Sequence, residues 1–263
     1  MEKNIYLKDY LASRIISFNK TLESPEYGKI FYECNEDLVD TLKGIDFTGK
    51  DVLSVLASSD QVFTARYLKA KRVDAFDKNR LTLYYYYLRL WSIKYRNELH
   101  PKVLNNNNWL KALLKAVKPQ TEMEKRAYYF FQKHIEDETI LRNLFYDRDM
   151  QPVGRTEYQN AKELKECRNS KLDFYELDLF EERKIPKQYD IVLVSNILEW
   201  ARGDKEKLQK ATRNLNEFTK KDGIVACSSI IFRKKEKLEE EREIFSPYFE
   251  QEEKGTSYVY HKK

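Results

Sequence analysis

The chain has 263 residues, 35% of them charged and 14% aromatic, with a formal net charge of +5 at pH 7. That composition excludes a disordered chain, and the lack of any 18-residue apolar run excludes a membrane-spanning helix. Three scattered cysteines (Cys34, Cys167, Cys227) and three isolated histidines (His100, His134, His261) give neither a disulfide framework nor zinc spacing, so a reduced, cytoplasmic protein is expected.

In chain order, residues 1–48 read as a helical lead-in without the apolar core of a secretory leader. Within it, Asn35–Lys43 forms a helix with Leu38, Val39 and Leu42 on one face, stopped by Gly44. Asp51–Leu56 is a buried strand, Gln61–Lys69 a helix and Arg72–Asp77 a second strand. The next helix carries Leu81, Tyr84, Leu88, Trp91, Tyr95 and Leu99 at helical spacing and stops at Pro101.

From about 101 to 168 no strand pattern occurs. Trp109–Val117 is an apolar-faced helix, and Thr121 with Glu124 forms a capping box that opens another. This span is expected to be a helical insertion over the strand ends. Strands return at Leu172–Leu177, Tyr189–Asn196 and Ile224–Phe232, with a helix capped by Asp204 before the last of these. The run "RKKEKLEEERE" reads as a solvated helix, and "FSPYFE" and "SYVYHK" as a closing hairpin joined by "QEEKGT". The fold class is therefore α/β: one domain over 1–263 with a doubly wound, mainly parallel seven-stranded Rossmann-like sheet and a C-terminal antiparallel pair.

In such a sheet a ligand sits at the carboxyl ends of the strands, beside the first one. There the loop Leu56, Ala57, Ser58, Ser59, Asp60 leads straight into a helix, whose free N-terminal N–H groups and positive dipole end point into the site. The two serines and Asp60 would equally serve as plain helix caps. The second strand ends in Asp77, followed by Lys78, nineteen positions beyond Ser58. An acid in that place suits the two hydroxyls of a ribose, or caps the next helix. Asp178 and Leu179 follow the third strand, where a carboxylate can accept from an adenine amino group and an apolar side chain can cover the ring. Ser195 and Asn196 end the fourth, at the reacting end of the pocket.

"VLSVLASSD", "VDAFDKN", "ELDLF" and "YDIVLVSNILEW", taken with the terminal hairpin, resemble the class I S-adenosylmethionine-dependent methyltransferase superfamily. Within it, "DVLSVLASSDQ", "RVDAFDKNRLTLYYYYLRL" and the "SN" and "EW" after strand four are similar to the betaine-lipid type of 3-amino-3-carboxypropyl transferases, as is "FYECNEDL" at Phe31–Leu38. The resemblance implies S-adenosyl-L-methionine as cofactor and transfer to a small molecule or lipid, with methyl favoured over aminocarboxypropyl. Relatives usually keep a glycine in the first loop; a Cβ there disfavours φ > 0, so a tightened loop is expected, and loss of turnover with retained binding is the alternative. Without GxGxxG a dehydrogenase is disfavoured. No DPPY or NPPY follows strand four and no basic cluster interleaves with aromatics, so nucleic acid is not an expected partner. Trp109, Tyr128, Tyr129, Phe130 and Phe131 face either an apolar acceptor or one another in a packed core. Tyr32, Glu33 and Glu199 lie where an acceptor would approach, and no residue stands out as catalytic.

Overall fold

A computed structural model describes residues 30, 37–101, 107–135, 144–145, 156, 158, 160–164, 167, 171–181, 184–201, 204–228, 242–254 and 257–263. Seven strands form one sheet: β1 (Asp51–Val55), β2 (Arg72–Asp77), β3 (Phe174–Glu176), β4 (Tyr189–Ser195), β5 (Thr219–Ser228), β6 (Phe249–Lys254) and β7 (Ser257–Lys262). Their order across the sheet is β3-β2-β1-β4-β5-β7-β6. The first five run parallel, and β7 is antiparallel to both β5 and β6. This is the doubly wound sheet expected from the alternation of patterns along the chain.

The central strands are apolar on both faces because both are covered. On β1, Val52 belongs to one core, while Leu53 and Val55 belong to the other, as a period of two requires. The second face carries helix α6 (Lys205–Phe218), capped by Asp204 and burying Leu208, Ala211, Leu215 and Phe218. The first face carries α1 (Leu38–Thr41), α2 (Asp60–Tyr67) and α3 (Arg80–Trp91), with α4 (Asn107–Ala116) and α5 (Glu122–His134) beyond.

Helix α3 is buried at every position from Leu81 to Trp91, not along one stripe. The reason is a second layer: Tyr84 packs against Phe130 of α5 with ring centroids 5.2 Å apart, and Tyr85 against Phe145 at 5.1 Å. Helix α5 opens with the capping box of Thr121 and Glu124. Among the described residues between 101 and 168 none joins the sheet, and their apolar side chains continue the first core. Trp109, Phe130 and Phe131 are buried in it, whereas Tyr129 is 53% exposed.

Four expectations are corrected. Helix α3 does not run to Pro101; it widens into a π-turn at Ser92–Arg96, which the left-handed Asn97 (φ 56°) closes. "DG" (Asp222 and Gly223) does not precede β5 but bulges within it. The register steps from Thr219 opposite Tyr189 to Ile224 opposite Ile191, and a Cβ on Gly223 would come within 2.7 Å of Thr219. Phe245 is not in a strand: residues 242–245 are helical, and β6 starts only after Pro247, which has no N–H for a ladder. "QEEK" is thus strand, its glutamates lying along the sheet edge. The charged run at 233–241 lies outside the described residues, as do Phe232, Tyr32 and Glu33. Among the described residues no helix is long and apolar enough to cross a membrane.

Candidate functional site

Strand order reverses at β1, whose neighbours β2 and β4 connect to opposite halves of the sheet. At the carboxyl ends of β1 and β4, three residues other than glycine adopt left-handed backbone: Ala57 (φ 38°), Ser59 (φ 75°) and Ser195 (φ 55°). Each costs of order 1–3 kcal/mol and persists only where its surroundings fix it; such positions gather at functional sites. The expectation that a Cβ would keep the loop out of φ > 0 is therefore wrong. The chain keeps a glycine-type backbone without glycines.

Hydrogen bonds hold that shape. Leu56 N–H donates to Phe76 C=O at 2.9 Å, extending the β1–β2 ladder by one residue. Ser59 N–H donates to Leu56 C=O at 2.5 Å, closing a turn. Ala57 N–H donates to Asp77 Oδ2 at 3.0 Å, and Arg89 Nη1 donates to Ser58 C=O at 2.5 Å.

The capping role considered for the loop is not what its side chains do. Ser59 occupies the cap position of α2, but makes no side-chain capping bond. Its Oγ is buried without a hydrogen-bond partner. Ser58 Oγ donates to Asp60 Oδ2 at 2.8 Å. Asp60, 2% exposed, also accepts from Arg89 Nη2 at 2.9 Å and from the Tyr158 hydroxyl. Burial alone would push the Asp60 carboxyl up, but the Arg89 guanidinium, followed by His100 and the Tyr158 hydroxyl, outweighs it and holds the carboxyl down at about 2.

Asp77 is not the cap of α3 either. Asn79 is, its side chain accepting from Leu81 N–H at 3.1 Å. Asp77 stays partly exposed at the end of β2 and accepts from Asn79 N–H at 2.9 Å as well as from Ala57. Burial pushes its carboxyl up to about 6, against the backbone N–H groups of Asn79 and Ala57 and the Thr82 hydroxyl, which favour the charged form. Lys78 beside it is exposed.

At the end of β3, Asp178 is partly exposed and accepts from Phe180 N–H at 3.0 Å. Leu179 is buried in the second core at 2% exposure, with its C=O held by Asn214 at 2.8 Å, so it presents almost no surface to a ring. Ser195 Oγ donates to Asn196 Oδ1 at 3.3 Å. Glu199 lies in the short 3₁₀ turn Ile197–Ala201, and its side chain is outside the described residues. The Ala57 bond brings the loop and Asp77 together, whereas Asp60 turns into the interior.

Arg89 and Tyr158 were not among the residues singled out by sequence. Arg89 had a signal, a lone basic residue inside "YYYYLRLW"; Tyr158 had none.

Asp77 and the N-terminus of α2 stand at the same end of the sheet, with Asp178 just past β3, the strand paired to β2. Among the described residues no cluster of His, Cys, Asp or Glu could hold a metal ion.

No family profile matches the chain, and no curated protein matches it. Solved structures similar to it include a TehB-like S-adenosylmethionine-dependent methyltransferase from Corynebacterium glutamicum, at 9% identity over 90% of each chain with a TM-score of 0.43. Another is the N-methyltransferase NodS from Bradyrhizobium japonicum in complex with S-adenosyl-L-homocysteine, at 9% identity over 86% of this chain and 83% of that one, TM-score 0.40. A third is the ribosomal protein L11 methylase from Lactobacillus delbrueckii, at 13% identity over 86% and 75%, TM-score 0.38. Likeness at this level says nothing of what this chain does.

Proposed function

We propose that the chain is an S-adenosyl-L-methionine-dependent transferase acting on a small molecule or lipid, with methyl the group moved. One observation carries the reading: the left-handed loop after β1 is bonded through Ala57 to the acid that ends β2. That bond sets a helix N-terminus and a carboxylate at one switch point, where a ribose and a charged tail would sit together.

In this reading Asp77 accepts from both ribose hydroxyls, and the backbone of Ala57 to Asp60 faces the methionine end. Asp178 takes the adenine amino group. Ser195 and Asn196 line the reacting end. Asp60 supports the loop from behind. Held there, S-adenosyl-L-methionine would supply a methyl made electrophilic by its sulfonium, and these residues would hold that methyl in line with the acceptor's lone pair. The sulfonium supplies the driving force, so this chain's contribution is alignment of the acceptor and exclusion of water. Of Trp109, Tyr128, Tyr129, Phe130 and Phe131, Tyr128 and Tyr129 keep accessible surface and are the ones we assign to the acceptor side.

The test is a titration of the purified chain with S-adenosylmethionine, S-adenosylhomocysteine, methylthioadenosine and NAD, followed by incubation with a cell extract. Binding of the first two and release of S-adenosylhomocysteine is expected. Release of methylthioadenosine would mean that the aminocarboxypropyl group moves. Tight binding without either product would make the protein a non-catalytic binder, and NAD binding more tightly would remove the transferase reading.

A further inference from the structure

We propose that Arg89 and Tyr158 are positioning residues that clamp the 56–60 loop in its left-handed form, so that a residue far from the loop in sequence sets cofactor affinity. The cofactor clause rests on the transferase reading above; the clamp itself does not.

Three separate stretches meet at one buried ion pair. Arg89 of α3 is fully buried and uses its whole fork: Nη2 on Asp60, Nη1 on the Ser58 carbonyl, Nε on the Leu99 carbonyl at 3.3 Å. Its guanidinium also lies 5.1 Å from the centroid of the Phe63 ring, on α2. Asp60 is shared among Arg89, Ser58 Oγ and the hydroxyl of Tyr158, which comes from 98 positions further along the chain.

The target of this network is specific. Ser58 lies between the two left-handed residues, Ala57 and Ser59. Relaxing Ser59 to φ < 0 turns the peptide that carries the Ser58 carbonyl, which a charged donor holds; the peptide before Ala57 is held by Asp77. A charge-assisted bond of this kind is roughly twice as strong as a neutral one. Arg89 can stay buried only because Asp60 balances it, and Asp60 can stay buried only with its donors in place. Tyr158 supplies one of them. Loss of its hydroxyl leaves an under-bonded carboxylate, which draws in water or turns away from Arg89 and frees the Ser58 carbonyl. A purely space-filling Tyr158 would have no such effect on the loop.

Tyr158→Phe in the full chain separates these cases, because the ring keeps its edge contact with Tyr67 at a 6.4 Å centroid distance. Hydrogen exchange is followed in peptides covering 56–63 and 191–195, beside a titration with S-adenosylhomocysteine. We expect exchange of 56–63 to accelerate about tenfold with 191–195 unchanged, and the dissociation constant to rise about tenfold. Equal acceleration in both peptides, or none in 56–63, overturns the clamp. If the wild type itself fails to bind S-adenosylhomocysteine, the cofactor reading falls and the exchange comparison still decides the clamp. Should Tyr158→Phe not fold, Arg89→Lys, which keeps the charge but loses the fork, is judged by the same two peptides.

Discussion

The backbone N–H of Ala57 points at Oδ2 of Asp77, 3.0 Å away and twenty residues along the chain. It joins the loop after β1 to the end of β2, so neither can be rearranged alone. Asp77 is also bonded to Asn79 N–H, and so both turns at this corner of the sheet depend on one carboxylate.

Replacing Asp77 with Ala should therefore have two effects. Two charge-assisted bonds to a ribose are lost, at roughly 1.5–3 kcal/mol each, and affinity for S-adenosylhomocysteine should fall on the order of a hundredfold. Two backbone N–H groups also lose their acceptor, which should lower the thermal midpoint of the free protein. Calorimetric titration and a melting curve read the two effects separately. An unchanged dissociation constant with a lowered midpoint would reduce Asp77 to a purely structural acceptor.

Ser59→Gly should stabilise the protein. The serine pays the left-handed penalty and buries a hydroxyl without a partner. Glycine removes both, and loses roughly 0.5–1 kcal/mol through the freer unfolded chain. The balance is a gain of about 1 kcal/mol, or roughly 2–4 °C in midpoint for a chain of this size. A lowered midpoint would show that the hydroxyl has a role in the folded state.

The sheet was legible because its signals are local. "DVLSVL" and "YDIVLVSN" are continuous apolar runs, which only strands covered on both faces can use. The end of the second strand at Asp77 was legible in the same way. What local pattern could not show was the balance of long-range bonds. "ASSD" looked like a capping sequence, yet Asp60 is drawn inward by Arg89 from 29 positions away, and Asn79 takes the cap that Asp77 could have filled. Backbone sign was equally hidden: Ala57 and Ser59 adopt φ > 0, and the Ala57 N–H and Ser58 C=O in this turn are bonded to Asp77 and Arg89 from elsewhere in the chain. Leu179 sits at the expected strand end, but its direction is set by the second core.

Breaking the buried pair from the cationic side should be far worse than removing it whole. Arg89→Met leaves the Asp60 carboxylate buried without its counter-charge, a loss of about 3–5 kcal/mol. Arg89→Met with Asp60→Leu should recover a large part of that in the same melting experiment. If the double variant were no more stable than the single, Asp60 would be contributing through something other than its charge.

Asp60 and Asp77 answer pH differently. Asp60, lowered to about 2, contributes stability that is present above its unfolded value near 3.8 and lost as pH falls through about 2. It stays charged at pH 5. Asp77 is raised to about 6, so its folded form binds the proton more tightly than the unfolded chain does. Its contribution to stability is present below about 3.8 and lost as pH rises through about 6. Cofactor binding has the opposite sign, because ribose hydroxyls donate to the ionised carboxylate. Between pH 7.5 and pH 5, affinity for S-adenosylhomocysteine should fall about tenfold, while the free protein gains stability from this residue. Asp77→Asn removes both responses. The expected result is a flat dissociation constant in the variant, and a midpoint difference, variant minus wild type, that is more positive at pH 7.5 than at pH 5. Affinity in the variant that still fell with acid would place the titrating group elsewhere in the site.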